Sequence, residues 1–264
     1  VDIQKALDYA KQWARDAGAL QLEYLNKKIK YDTKSTAVDM VTEVDLLCEK
    51  LIISKIREVY PLHSIISEEA GKSNDENEYV WIIDPLDGTN NYFHGYPVFA
   101  VSIALHQGDE PLVGVVHVPY VSEMFYAAKG LGAYLNDEKI SVSSIDNLRG
   151  ALLATGFPYD KAEDLKNNNI DIFSHIVPDI MGVRRSGSAA YDLCCAACGR
   201  LDGYWELKIK LWDMAAGELI MREAGGEVLY HAHEKGINII AGNPVIVKLL
   251  QAKINQCYRA FSGN

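Results

Sequence analysis

The sequence has no apolar run long enough to span a bilayer, so no stretch of it reads as a membrane-spanning helix. It shows no signal peptide. The chain opens Val1-Asp2-Ile3 straight into a helical pattern, without methionine, and reads as a trimmed or incomplete start. A basic cluster is missing too. With a formal charge of −10 the surface as a whole repels a polyanion, so nucleic acid is not an expected partner. Lys27-Lys28, with Lys30 and Lys34, is a modest basic patch that a solvated helix end explains. Cysteine is sparse: Cys48, Cys194, Cys195, Cys198 and Cys257 are odd in number. Cys195-Ala-Ala-Cys198 matches CxxC but lies in an alanine-rich helical stretch, so it reads as small apolar packing rather than zinc or redox chemistry. This usage fits a reducing cytoplasm. No G-x-S-x-G elbow is present, which removes a serine-hydrolase reading. Internal repeats and low-complexity segments are absent as well.

What is present is an ordinary folding composition, 48% hydrophobic over 264 residues, enough for one large domain or two tightly joined ones. The chain is organised around Val80-Trp-Ile-Ile-Asp84-Pro-Leu86-Asp87-Gly88-Thr89-Asn90-Asn91. Val80 to Ile83 carry a strand through a core, and Asp84 stands where that strand should stop, because Pro85 has no N–H for a ladder. Asp84, Asp87 and the Leu86 carbonyl can surround one point, with free N–H groups beyond them at Gly88 and Thr89. Such oxygen ligands suit a hard divalent ion, and the N–H groups suit a phosphate. The plain alternative is a strand followed by an Asp-Pro and Asp-Gly turn.

Along the chain, residues 2 to about 28 form a long helix capped by Asp2, with Ile3, Ala6, Leu7, Ala10, Trp13, Ala14 and Ala17 on its apolar stripe. Residues 29–39 are a polar loop, a loose hairpin or a lid. Thr42 caps a second helix, with Asp45 closing a capping box; alternatively Asp45 faces the same site as Asp84. His63 to Ser67 is a short strand that delivers Glu68 to an edge, and residues 71–78 are a solvent-facing loop. From Pro97 to Val142 the chain is a meander of antiparallel strands. A soft boundary near 143–150 divides residues 1–145, which carry most candidate ligands, from 146–264. In the second part, strand 151–155, helix 164–176, strand 182–185, helix 188–198, strand 203–206, helix 214–223, strands 228–229 and 239–241, and a last helix from Pro244 alternate as in an α/β layer.

Glu68, Asp84, Asp87, Asp213 and Asp45 thus lie at element ends. Converging carboxylates would repel one another, and divalent cations would remove that penalty. The runs Asp39-Met-Val-Thr-Glu-Val-Asp45, Glu68-Glu69, Trp81-Ile-Ile-Asp-Pro-Leu-Asp-Gly-Thr-Asn90, Gly187-Ser-Ala-Ala190 and Leu211-Trp-Asp-Met-Ala-Ala-Gly217 resemble, in order and spacing, the inositol monophosphatase family of magnesium-dependent, lithium-sensitive phosphatases.

The resemblance implies an α/β (α+β) fold. It is a fructose-1,6-bisphosphatase-like layered αβαβα sandwich, with an antiparallel N-terminal sheet and a smaller mixed C-terminal sheet. It implies that Glu68, Asp84 and the Leu86 carbonyl bind a first Mg2+, and that Asp84, Asp87 and Asp213 bind a second. Glu68 would share a third ion. Asp45 and Thr89 would position the nucleophilic water, while Gly88 and Thr89 meet the phosphate. Glu206 would receive sugar-like hydroxyls, with Ser188 and Ala189 lining the same pocket. The implied reaction is hydrolysis of a phosphate monoester, inositol 1-phosphate first, by in-line attack of a metal-activated water with no phosphoenzyme. Li+ inhibition and a cytoplasmic homodimer follow from the same likeness.

No histidine is needed, so His94 and His106 read as loop and core residues. Two departures bear on substrate: Ser67 stands where the family often has glycine, and Asn90-Asn91-Tyr92 replaces Thr-Asn-Phe. Arg184 and Arg185 read either as a reach toward a second phosphate or as an exposed pair near a subunit surface. The other activities weighed are those on fructose-1,6-bisphosphate, on the 2′-phosphate of NADP and on 3′-phosphoadenosine 5′-phosphate. Outside catalysis, the reading weighed is a regulator that binds RNA polymerase or RNA.

Overall fold

The computed structural model describes residues 1–25, 27, 30–34, 40–73, 76–164 and 168–261. Helix α1 (Ile3–Tyr24) is capped by Asp2, whose carboxylate accepts from Lys5 N at 3.1 Å. Its buried stripe is the one its spacing dictates, Ala6 through Ala17 with Trp13 at the centre. The helix ends before residue 28: the Lys27 N–H turns back to the Tyr24 carbonyl. Strands β1 (Tyr31–Thr33) and β2 (Met40–Thr42) pair antiparallel, so the polar stretch is a hairpin at its ends. Residues 35–39, with Asp39 of the quoted run, lie outside the described residues, as do 74–75 of the 71–78 loop. Helix α2 (Glu43–Val59) begins with the full Thr42–Asp45 capping box and lies beside α1.

The remaining N-terminal strands are β3 (Ser64–Ser67), β4 (Gly71–Lys72), β5 (Tyr79–Asp87), β6 (Ala100–Gln107), β7 (Glu110–Val118), β8 (Glu123–Ala128), β9 (Ala133–Leu135) and β10 (Glu138–Lys139), with the short helix α3 (Thr89–Phe93) after β5. Among the described residues they form an eight-stranded sheet in the order β10-β9-β8-β7-β6-β5-β3-β4. It is antiparallel except for one pair, β3 and β5, which run parallel with Ser67 opposite Ile83. Strand β5 does not stop at Asp84. It continues to Asp87 through a register shift against β6, where Asp84 faces Ser102 and Asp87 faces Ala100. Pro85 is tolerated because it sits in that bulge, where no ladder bond is asked of it.

The C-terminal elements are β11 (Leu152–Thr155), α4 (Ile170–Ile176), β12 (Gly182–Arg184), α5 (Ala189–Ala197), β13 (Gly203–Ile209), α6 (Leu211–Glu223), β14 (Glu227–His233), β15 (Gly236–Gly242) and α7 (Pro244–Phe261). Among the described residues their strands make a mixed five-stranded sheet, β12-β11-β13-β15-β14, with β11 parallel to both neighbours. Helix α4 starts at Ile170 rather than 164, because Asn169 before it holds a left-handed backbone; residues 165–167 lie outside the described residues. Strands β13, β14 and β15 each run longer than their apolar cores suggest.

Helices α5 and α6 fill the space between the two sheets. That middle core joins Ala104 and Phe125 of the first sheet with Leu193, Met214 and Leu219 of the helices and Tyr204 of the second sheet. A second core lies under α1 and α2, around Trp13 and Trp81. A third, with Leu153, Trp205 and Leu250, lies under α4 and α7. The order is αβαβα. No described helix is long and apolar enough to cross a membrane.

Candidate active site

The parallel β3–β5 pair builds the first half of the site. Because Ser67 and Ile83 are in register, the next residues, Glu68 just past β3 and Asp84 still within β5, come side by side, and the Glu68 N–H donates to the Ile83 carbonyl at 3.2 Å. Asp84 is buried, and its Oδ1 accepts from Leu86 N at 3.0 Å. The bulge then turns Asp87 toward the second half of the chain. Its Oδ2 accepts from Ser188 Oγ at 2.6 Å and from Ala190 N at 2.8 Å, which fastens β5 to the start of α5. Gly88 sits at φ 90°, and a Cβ there would lie 2.9 Å from the Val98 carbonyl oxygen, so a side chain fits neither the backbone nor the space. Asp213 lies in the first turn of α6, where its Oδ2 accepts from Lys210 N at 2.7 Å.

These groups face one cavity of about 740 Å³. Glu68, Asp84, Leu86, Asp87, Gly88, Thr89, Ser188, Ala189, Glu206 and Asp213 all line it. Asp45 does not. It is fully buried behind the wall and connects through Thr89, whose Oγ lies 2.9 Å from Asp45 Oδ1. Asp45 Oδ2 accepts from both the N–H and the hydroxyl of Thr42, at 2.9 and 2.6 Å. The capping role and the approach to the site, posed as alternatives, therefore coexist on its two oxygens.

The carboxyls are all pushed toward their neutral forms. Desolvation, with the charges of Glu68, Asp87 and Asp213, holds Asp84 well above the usual carboxylate range. Asp213 is raised the same way, by burial and then by Asp87 and Glu68. Burial lifts Asp87 to about 6 against the lowering effect of Ser188 and Ala190. It lifts Asp45 to about 6 against the Thr42 and Thr89 hydrogen bonds. Glu206 rises to about 7, again by burial, with Tyr204 and Arg185 pulling it down.

A lysine stands beside this cluster. Lys34 Nζ lies 2.7 Å from Glu68 Oε1 and is paired with Glu69. Among the described residues, no three His, Cys, Asp or Glu side chains form a ready-made metal cage. The donor chemistry nevertheless fits a hard divalent cation. All the donors are oxygens, four are mutually repelling carboxylates, and the Leu86 carbonyl adds a neutral one.

Several lining residues escaped the sequence reading. Asp192, buried at 4% exposure, lines the cavity one helical turn beyond Ser188. The i, i+4 spacing from Ser188 was the available signal. Gly156 to Asp160, Lys208, Lys210 and Lys235 form another wall that has no motif. Arg185 lines the cavity, whereas Arg184 is exposed and its guanidinium donates to the Val183 carbonyl at 3.1 Å. His94 caps the end of α3 and His106 is buried on β6; neither lines the cavity. All five cysteines are free, and Cys194 and Cys195 are packed in the middle core.

The chain matches the inositol monophosphatase family over residues 2–259. It is 47% identical over 228 residues to an inositol-1-monophosphatase of Synechocystis sp., a match that covers 86% of this chain and 79% of that one. It is 43% identical over 256 residues to the Nus factor SuhB of Vibrio cholerae, covering 95% and 96%. The solved structure of an inositol monophosphatase from Anabaena (Nostoc) sp. superposes with a TM-score of 0.88 at 42% identity, covering 97% of each chain. With matches running nearly end to end and the acid-lined cavity at the meeting of both sheets, the chain is a phosphatase of the inositol monophosphatase family.

Proposed function

We propose that this phosphatase is a magnesium-dependent inositol-1-monophosphatase. The observation that carries the reading is the convergence of Glu68, Asp84, Asp87 and Asp213 on one cavity that also holds Glu206. A phosphate dianion entering that cavity meets negative charge unless cations intervene. Glu68, Asp84 and the Leu86 carbonyl would hold one Mg2+, Asp84, Asp87 and Asp213 a second, and Glu68 a share of a third. Bound magnesium supplies charge neutralisation of the phosphoryl oxygens and acidifies water. Glu68, Thr89 and Asp45 are the catalytic groups in this account. Thr89 Oγ orients the attacking water, and Asp45 behind it takes up proton density through the shared hydroxyl. The N–H groups of Gly88 and Thr89 meet the phosphate. Asp87 and Asp213 border the ester oxygen, with Ser188 and Ala189 beside them. Glu206 accepts from ring hydroxyls, which favours a polyol over a nucleotide.

The same reading takes the N-terminal part, 1–145, as the source of most ligands, and 146–264 as the source of Asp213 and the pocket. It includes inhibition by Li+, a homodimer and a cytoplasmic setting. The likeness to a Nus factor supports a second reading, a non-catalytic regulator of RNA polymerase or RNA. The acidic surface and the intact carboxylates weigh against it.

Phosphate release from inositol 1-phosphate, fructose-1,6-bisphosphate, NADP and 3′-phosphoadenosine 5′-phosphate, with and without magnesium, tests the proposal. A magnesium-dependent preference for inositol 1-phosphate supports it. Preference for another ester moves the substrate and keeps the chemistry. Absence of release from all of them, with copurification of polymerase, favours the regulator.

A further inference from the structure

Lys208 is an unusual residue for its place. Five non-glycine residues have positive φ among the described residues, and four of them are Ser, Asn or Asp, whose short polar side chains tolerate that backbone. The fifth is Lys208, at φ 60°. It is also buried, with 6% exposure. A left-handed backbone and a buried ammonium are both costly, and they coincide where β13 slips register against β15, between Glu206 and Ile209.

The slip lets Lys208 line the cavity along with Glu206. Its Nζ lies 2.9 and 3.2 Å from the Asp160 oxygens and 2.7 Å from Asp164 Oδ2. Lys235 Nζ adds a third bond to Asp160 at 2.8 Å and is itself steadied by Lys210 Nζ on its carbonyl at 2.8 Å. These acids end a segment that begins at Gly156, where the backbone abuts Glu206 so closely that a Cβ would lie 2.1 Å from Oε1. Asn169 pins that start, donating to the Gly156 carbonyl at 2.6 Å while accepting from Trp205 Nε1 at 2.8 Å. Phe157 to Asp160 line the cavity between the two anchors.

We infer that Lys208 is a positioning residue for substrate: through Asp160 and Asp164 it latches segment 156–164 as the wall of the cavity beside Glu206. The inference rests on the proposal that Glu206 receives the organic part of the ester. An exposed ion pair for solubility would not need a buried lysine or a left-handed backbone. Because the segment it holds abuts Glu206, the latch acts on KM and leaves kcat alone.

The test uses full-length Lys208→Ala, Lys208→Arg, an Asp160→Asn/Asp164→Asn double variant and their combination. Amide hydrogen exchange is read over 156–164, and steady-state kinetics on inositol 1-phosphate. Lys208→Ala should speed exchange in that segment and raise KM about tenfold, the scale on which small misplacements act, with kcat within about twofold. Lys208→Arg should restore most of both. The combined variant should be no worse than either parent, since all three groups act as one latch. Unchanged exchange in 156–164, an unchanged KM, a kcat loss equal to the KM rise, or additive losses would each overturn the latch. If wild-type protein does not hydrolyse inositol 1-phosphate, the substrate proposal falls instead. The latch is then judged by exchange and by KM on the ester the protein does hydrolyse. Should Lys208→Ala fail to fold, the Asp160→Asn/Asp164→Asn pair carries the same readouts.

Discussion

Thr89 Oγ lies 2.9 Å from Asp45 Oδ1 and 3.0 Å from the Leu86 carbonyl oxygen, and it has one proton for the two acceptors. When that proton goes to Asp45, a Thr89 lone pair is left to face the cavity that Thr89 lines. The two oxygens of Asp45 thus have separate partners, Thr42 at the start of α2 and Thr89 at the cavity wall.

That division is separable by mutation. Thr42→Ala should cost about 1 kcal/mol of stability, the usual worth of a helix cap, with kcat within a few-fold of wild type. Thr89→Ala should lower kcat by about 10²- to 10³-fold, the scale of a lost acid–base contact, beyond the modest drop in urea midpoint that follows when the buried Asp45 Oδ1 loses its donor. Denaturation curves and steady-state rates on both variants decide. An unchanged kcat in Thr89→Ala would show that Asp45 serves only the fold.

Asp84→Asn and Asp213→Asn should each reduce turnover by about 10³-fold, since in the proposed mechanism several kcal/mol of charge stabilisation rest on these two as metal ligands. Neither should unfold the protein. In chelator both should melt higher than wild type, because each removes one of several mutually repelling carboxylates from a dry site. A variant with full activity would remove that residue from the site.

Much of this site was visible in the sequence, because an apolar run followed by an acid marks a sheet edge whatever the fold does next. Glu68 after Ile65-Ile66 and Asp84 after Ile82-Ile83 are of this kind. What the pattern withheld was pairing. The parallel register that sets Glu68 beside Asp84 is a long-range choice, and Pro85 hid the continuation of β5 by looking like a terminator. Lys208 was invisible for a related reason: nothing local announces a lysine at positive φ, and its partners Asp160 and Asp164 are distant in sequence. Strand β13 was accordingly read as ending at Glu206, whereas it reaches Ile209.

Lys34 places a cation beside Glu68 and Glu69, and its ammonium is held above its ordinary range by them despite burial, which acts the other way. Lys34→Gln should therefore destabilise the metal-free protein by about 1–2 kcal/mol, the scale of a partly buried pair discounted for solvent. With saturating magnesium the loss should shrink, since the carboxylates then have other counter-charge. Melting curves in chelator and in magnesium compare the two. An equal loss in both would mean that Lys34 does not share its place with a cation.

Asp192 gives a pH signature. Burial is the largest of the influences that push its carboxyl to about 8 from an ordinary 3.8. Between those values the folded protein holds a proton that the unfolded chain has released. The neutral-state stability is full below about 4, is lost progressively as pH rises, and is gone above about 8. Asp192→Asn removes this slope, so the variant should gain on wild type from pH 5 to pH 8.5 in urea denaturation. Parallel curves for the two proteins would place the titration elsewhere.

The most direct measurement is phosphate release from inositol 1-phosphate as magnesium is titrated from chelated to saturating, with Asp84→Asn alongside. The account predicts no turnover in chelator, a rise with magnesium, and a variant that stays flat while keeping its fold by circular dichroism. Turnover in chelator equal to that in magnesium, or a variant that follows the wild-type curve, would contradict it.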